Sequence, residues 1–130
     1  MTEINLIISG QPVTKKNSQR LIYNKNRIIP IPSAAYKTYE AMALRQLYAQ
    51  YNGEPIDYPV NLSCVYYLAR RYRGDLVGWL QATQDILVKA KVIADDNYKI
   101  VARLNDSRVD YDKANPRVEI TITELLPFEE

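Results

Sequence analysis

The chain has 130 residues, 47% of them hydrophobic, which fits one packed core and argues against disorder. It carries a net charge of +2, no histidine and a single cysteine, Cys64. Histidine-based nucleophile activation, histidine metal ligands and intramolecular disulfides are thereby excluded, which leaves carboxylates, lysines, tyrosines or an oxygen-held metal for any hydrolytic chemistry.

In chain order, Glu3 to Ser9 reads as a strand rich in Ile and Leu, ended by Gly10-Gln11-Pro12. Val13 to Gln19 is a polar, basic loop. Arg20 to Ile31 reads as a hairpin around Asn24-Lys25-Asn26. Ser33 is placed to N-cap a helix. Tyr36, Tyr39, Ala43, Leu47 and Tyr51 then recur at helical spacing, a stripe that reads as core or dimer surface rather than as a base-stacking platform. Asn52-Gly53 is the expected stop. Tyr58 to Leu68 alternates Val60, Leu62, Cys64, Tyr66 and Leu68 against other residues, as a half-buried strand does. Cys64 within it is expected to be a small core residue.

The strand runs into Arg70-Arg71-Tyr72-Arg73-Gly74-Asp75. Asp75 is placed to N-cap a second helix, with Leu76, Trp79, Leu80, Thr83, Ile86, Leu87 and Ala90 on one face. The chain then reaches Asp95-Asp96-Asn97. Lys99 to Leu104 reads as a strand, Asn105-Asp106-Ser107 as a turn, Arg108 to Tyr111 as extended, and Asp112 to Pro116 as another turn. Val118, Ile120 and Ile122 alternate with Glu119, Thr121 and Thr123 in a final strand. The order predicts an α+β (mixed α/β) fold, a single domain over residues 1–130 with two main helices packed on a mixed β-sheet.

Charge is distributed unevenly. Lys15, Lys16, Arg20, Lys25 and Arg27 crowd the start, Arg70, Arg71 and Arg73 form a second cluster, and Asp75, Asp85, Asp95, Asp96, Asp106, Asp110 and Asp112 follow. A mixed solvated surface explains such runs, and so does a metal-dependent nuclease, in which cations hold phosphates and carboxylates hold the metal. Likewise, Asp75 is explained as an N-cap and Asp95-Asp96 as a polar turn. The three meet only if the chain doubles back after a helix ~24 Å long.

The stretch Arg71-Tyr72-Arg73-Gly74-Asp75-Leu76 through Gln84-Asp85-Ile86-Leu87 to Ala94-Asp95-Asp96-Asn97 resembles the signature of RusA-type Holliday junction resolvases. Gly10-Gln11-Pro12-Val13-Thr14-Lys15-Lys16-Asn17-Ser18 resembles that family's early loop, and Asn115-Pro116-Arg117-Val118-Glu119-Ile120 resembles the endings of its phage-borne members. The resemblance implies a RusA-like fold and a homodimer that binds four-way DNA junctions and cuts them symmetrically with Mg²⁺. It also implies a phage or prophage setting in the bacterial cytoplasm. No apolar run approaches the ~18 residues that span a bilayer, and no signal peptide is read at the start. By the same resemblance Asp75 and Asp96 are metal ligands with Asp95 beside them as a third catalytic carboxylate, and Lys15, Lys16, Arg20, Arg70, Arg71 and Arg73 grip phosphates. The family's second Asp falls on Val77, its Asn on Gly78 and its helix Lys on Gln81. Asp85 shares the face of Val77 but lies ~12 Å along the axis, too far to replace the carboxylate directly. The departures leave two readings: an active Mg²⁺-dependent endonuclease, or a module of the same fold that binds branched DNA or a protein without cutting.

Overall fold

The computed structural model describes residues 2–14, 19–24, 27–71 and 74–126, and the backbone alone at 19–24 and 27–32. Elements run β1 (Glu3–Ser9), β2 (Gln19–Asn24), β3 (Arg27–Pro32), α1 (Ala34–Gln50), β4 (Val60–Leu68), α2 (Leu76–Lys89), β5 (Val101–Arg103), β6 (Arg108–Tyr111) and β7 (Arg117–Glu124). The α+β expectation holds: two helices pack on a mixed five-stranded sheet.

β4 is central. β7 pairs antiparallel with it and β1 antiparallel with β7, so the order begins β1-β7-β4. On the other side of β4, β5 and β6 follow one another, both parallel to it. The registers Leu6↔Ile120 and Cys64↔Ile120 set alternate residues of three strands on one face. That face is the core: Leu6, Ile8, Leu62, Cys64, Tyr66, Val118, Ile120 and Ile122 are buried under the helices. Each fully buried aliphatic side chain contributes about 1.5–3 kcal/mol.

α1 starts as expected, with Ser33 Oγ accepting from Tyr36 N at 3.1 Å. Tyr36, Tyr39, Ala43 and Leu47 are buried and Tyr51 is half-buried, so the stripe faces the core. The helix ends without a left-handed glycine. Tyr51 turns extended while its N–H still reaches Leu47 O at 2.9 Å, so the stop precedes Asn52-Gly53. In α2 the predicted stripe is buried except for Leu76, which is half-buried. Trp79 stacks on Tyr66 at 5.9 Å between centroids, and the Tyr66 and Thr83 hydroxyls share a 2.7 Å hydrogen bond.

The expected strand from Lys99 to Leu104 shrinks to Val101–Arg103. Asn97 shortens it: its carbonyl accepts from Ile100 N and Val101 N, and its Oδ1 from Lys99 N, winding the chain into a turn. The hairpin of β2 and β3 forms a separate two-stranded sheet closed at Asn24↔Arg27, while Lys25 and Asn26 of its turn lie outside the described residues.

Candidate active site

Three chain segments converge where β4 and β6 end. Asp112 N donates to Leu68 O at 2.9 Å, which ties β6 to the end of β4. Gln11 Oε1 accepts from Ala69 N at 3.1 Å, which ties the loop after β1 to the same place. Arg70 and Arg71 follow immediately and are exposed. The ends of parallel strands, where a helix begins, are a common position for ligands in such sheets.

Asp75 opens α2 here. Its backbone is extended, and Oδ1 accepts from Gly78 N at 2.6 Å, so the carboxylate is fixed by the N-terminal turn. Gly78 lets the carboxylate come this close: a Cβ there would meet Asp75 Oδ1 at 2.9 Å, so a larger residue makes the carboxylate shift, while Thr14 Cγ2 at 3.7 Å is in ordinary contact. Thr14, 3% exposed, thus packs at the head of α2. Lys15 and Lys16 come directly after it but, like Arg73, lie outside the described residues; Arg20 is on β2 with its side chain undescribed.

Asp95 and Asp96 sit elsewhere. After α2, Ile93 bridges Ile56, with Ile56 N to Val92 O and Ala94 N to Ile56 O both 2.9 Å. The chain therefore doubles back ahead of β4, at the opposite end from Asp75. The 14 residues of α2 rise ~21 Å. Asp95 is locally ordered, its Oδ1 accepting from Asp96 N at 2.7 Å and its Oδ2 from Asn97 Nδ2 at 3.2 Å. The Asp96 carboxyl is raised above its ordinary range, first by loss of water on its protein side and then by the hydrogen bond and charge of Asp95 and the charge of Asp85. Asp85 as a neighbour of Asp96 was not expected. It follows from the direction in which the chain returns, and Asp75 is ~15 Å further along α2. Among the described residues no three His, Cys, Asp or Glu side chains come close enough to hold one metal ion.

Residues 9–123 match the family described as endodeoxyribonuclease RusA. The chain belongs to the RusA family. It is also similar to a crossover junction endodeoxyribonuclease RusA from Aquifex aeolicus (strain VF5), 34% identical over 97 residues that cover 75% of each chain. The RusA match runs from the last residue of β1 into β7 and so includes both acidic groups. Within it, Val77 is 74% exposed and Gln81 is exposed, so these two departures from the family pattern face outward, while the third, Gly78, is buried at the head of α2. Cys64 is buried, and burial pushes its thiol up to about 12, which suits an inert core residue. No helix among the described residues is long and apolar enough to cross a membrane.

Proposed function

We propose that this chain is a Mg²⁺-dependent endodeoxyribonuclease that resolves four-way DNA junctions as a homodimer, residues 1–130 acting as one domain. The observation that carries the reading is Asp75: a carboxylate immobilised at the head of α2, just after exposed Arg70 and Arg71, in a chain of the RusA family. The cytoplasm of a bacterial host, with a phage or prophage gene, is the setting that goes with it.

The donor set suits Mg²⁺, which takes oxygen ligands and is commonly held by one or two carboxylates with waters. The charged groups acting on Asp96 are themselves acidic, a crowding that a divalent cation relieves. Asp75 and Asp96 are the proposed ligands, with Asp95 orienting the second of them. Because α2 holds these groups at its two ends, a shared site requires a second copy whose α2 runs the other way. When bound, Mg²⁺ neutralises charge on the scissile phosphate and activates the attacking water. The protein's own part is to hold Asp75 still through Gly78 N and to place Arg70, Arg71, Arg73, Lys15, Lys16 and Arg20 on flanking phosphates.

A second reading has its own observation. Val77 offers an apolar, exposed side chain where the family pattern has Asp, as a binding module that has lost cutting would. A labelled four-way junction, incubated with the protein with and without Mg²⁺, separates the two. Paired nicks that need Mg²⁺ and vanish in Asp75→Asn and Asp96→Asn, with binding retained, are expected. Tight binding with no cutting at any Mg²⁺ concentration would establish the module instead.

A further inference from the structure

The sheet has two edges, and they are finished differently. At Ile7 and Ser9 the outward backbone groups of β1 are taken by two glutamines of α1. Ile7 N donates to Gln50 Oε1 at 2.8 Å and Ile7 O accepts from Gln50 Nε2 at 2.7 Å. Ser9 N donates to Gln46 Oε1 at 2.7 Å and Ser9 O accepts from Gln46 Nε2 at 3.2 Å. An added strand finds those ladder positions filled.

β6 is the opposite edge, and among the described residues it pairs only with β4. Asp112 N points at Leu68 O, and backbone groups alternate sides along a strand, so Arg108 and Asp110 turn toward β4 while Val109 and Tyr111 turn outward. The outward N–H of Tyr111 is met by Asp110 Oδ1 at 2.8 Å. Val109, in the middle, presents both its N–H and its C=O to the outside.

We propose that two copies of this chain pair through β6, antiparallel, with the two-fold axis at Val109. The inference rests on the homodimer reading above and gives it a surface. With Val109 opposite Val109 of the second copy, the two residues exchange both backbone hydrogen bonds. Arg108 of each copy then stands opposite Asp110 of the other, in the positions where cross-strand side chains come closest. Arg108 and Asp110 lie on one face, so both ion pairs form on the same side of the joined sheet. A slip by one residue would oppose side chains from different faces and lose both pairs. Tyr111, 55% exposed, lies on this strand and is apolar surface that pairing covers. Antiparallel pairing also reverses α2 relative to its copy. The Asp75 end of one helix then lies toward the Asp95-Asp96 end of the other.

The test uses the full chain, with molar mass by light scattering and sedimentation across micromolar concentrations, and circular dichroism to verify folding. Val109→Pro removes only an outward N–H, which the chain's own ladder does not use, and proline is tolerated on edge strands. It is expected to raise the dimer dissociation constant at least about tenfold. Arg108→Asp sets like charges opposite each other and is expected to weaken the dimer too, and Arg108→Asp with Asp110→Arg to restore it. A parent dimer that Val109→Pro and Arg108→Asp both leave intact while folded places the interface elsewhere and overturns this proposal alone. A parent that is monomeric throughout overturns the homodimer reading along with it.

Discussion

Gly78 and Val77 are adjacent on the first turn of α2, and they carry opposite expectations. A Cβ on Gly78 would lie 2.9 Å from Asp75 Oδ1, so Gly78→Ala makes the carboxylate shift against its N–H. Alanine gains roughly 0.8–1 kcal/mol of helix propensity over glycine, and a lost N-cap costs about 0.5–2 kcal/mol, so the two nearly cancel. Thermal melting should therefore change little, while the rate of junction cutting falls at least about tenfold because Asp75 is displaced. An unaltered rate would mean that the cap does not position Asp75 for the chemistry. Val77, 74% exposed and outside the buried stripe, is free to change. Val77→Asp with Gln81→Lys restores the family's carboxylate and cation one turn apart, and an acidic group in the first helical turn is favoured by the helix dipole. Stability should shift by no more than about 0.5 kcal/mol, and cutting at limiting Mg²⁺ should speed up. A fast parent that gains nothing would show that other groups already do the work, with Asp85 the first candidate because it acts on Asp96. A parent that never cuts, and a variant that also does not, would show a site decayed beyond one residue.

What the sequence revealed at the level of elements was what local periodicity encodes. Ser33 and Asp75 were legible as caps because Ser and Asp are favoured there, and the buried faces of α1, α2, β4 and β7 were legible from their spacing. The length of α2 was legible as well, but the expectation that the returning chain brings Asp95-Asp96 to Asp75 is not met within one chain, where they lie at opposite ends of the helix. The side to which the chain returns was not legible, because the Ile56–Ile93 bridge joins residues far apart in sequence. Nor was the parallel pairing of β5 and β6 with β4, for the same reason. Nor does anything in a helical pattern mark Gln46 and Gln50 as side chains that reach a strand edge. Their role makes a prediction. Gln46→Ala with Gln50→Ala strips four hydrogen bonds from β1, each worth about 0.5–1.5 kcal/mol at most, less where water replaces the amide. Denaturant midpoints should fall, and light scattering should show association beyond the parent's at high concentration, as open edges template pairing. A variant with the parent's midpoint and the parent's molar mass would show that the edge needs no such cover.

On the scale of the whole molecule, a net charge of +2 understates how the charge is arranged. The sequence sets Lys15 and Lys16 directly after Thr14, which is buried at the head of α2, and Arg70 and Arg71 leave β4 at the same end. Arg70 and Arg71 thus stand at the end of the sheet where Asp75 is held, and Lys15 and Lys16 follow in sequence the residue buried there. A phosphate backbone laid there releases counterions in proportion to the contacts made, with log affinity falling by about 0.9 per contact for each decade of salt. Junction affinity should therefore drop steeply between roughly 50 and 200 mM salt. Lys15→Ala with Lys16→Ala should weaken binding and flatten that slope by up to about two contacts. Asp75→Asn should do the reverse to affinity, holding or tightening binding, because it removes a negative charge from the same end. Titrating a labelled junction at four salt concentrations with the three proteins gives both quantities at once. If the double lysine variant runs parallel to the parent at every salt, the early loop does not touch phosphate, and the grip on DNA belongs to Arg70 and Arg71 without it.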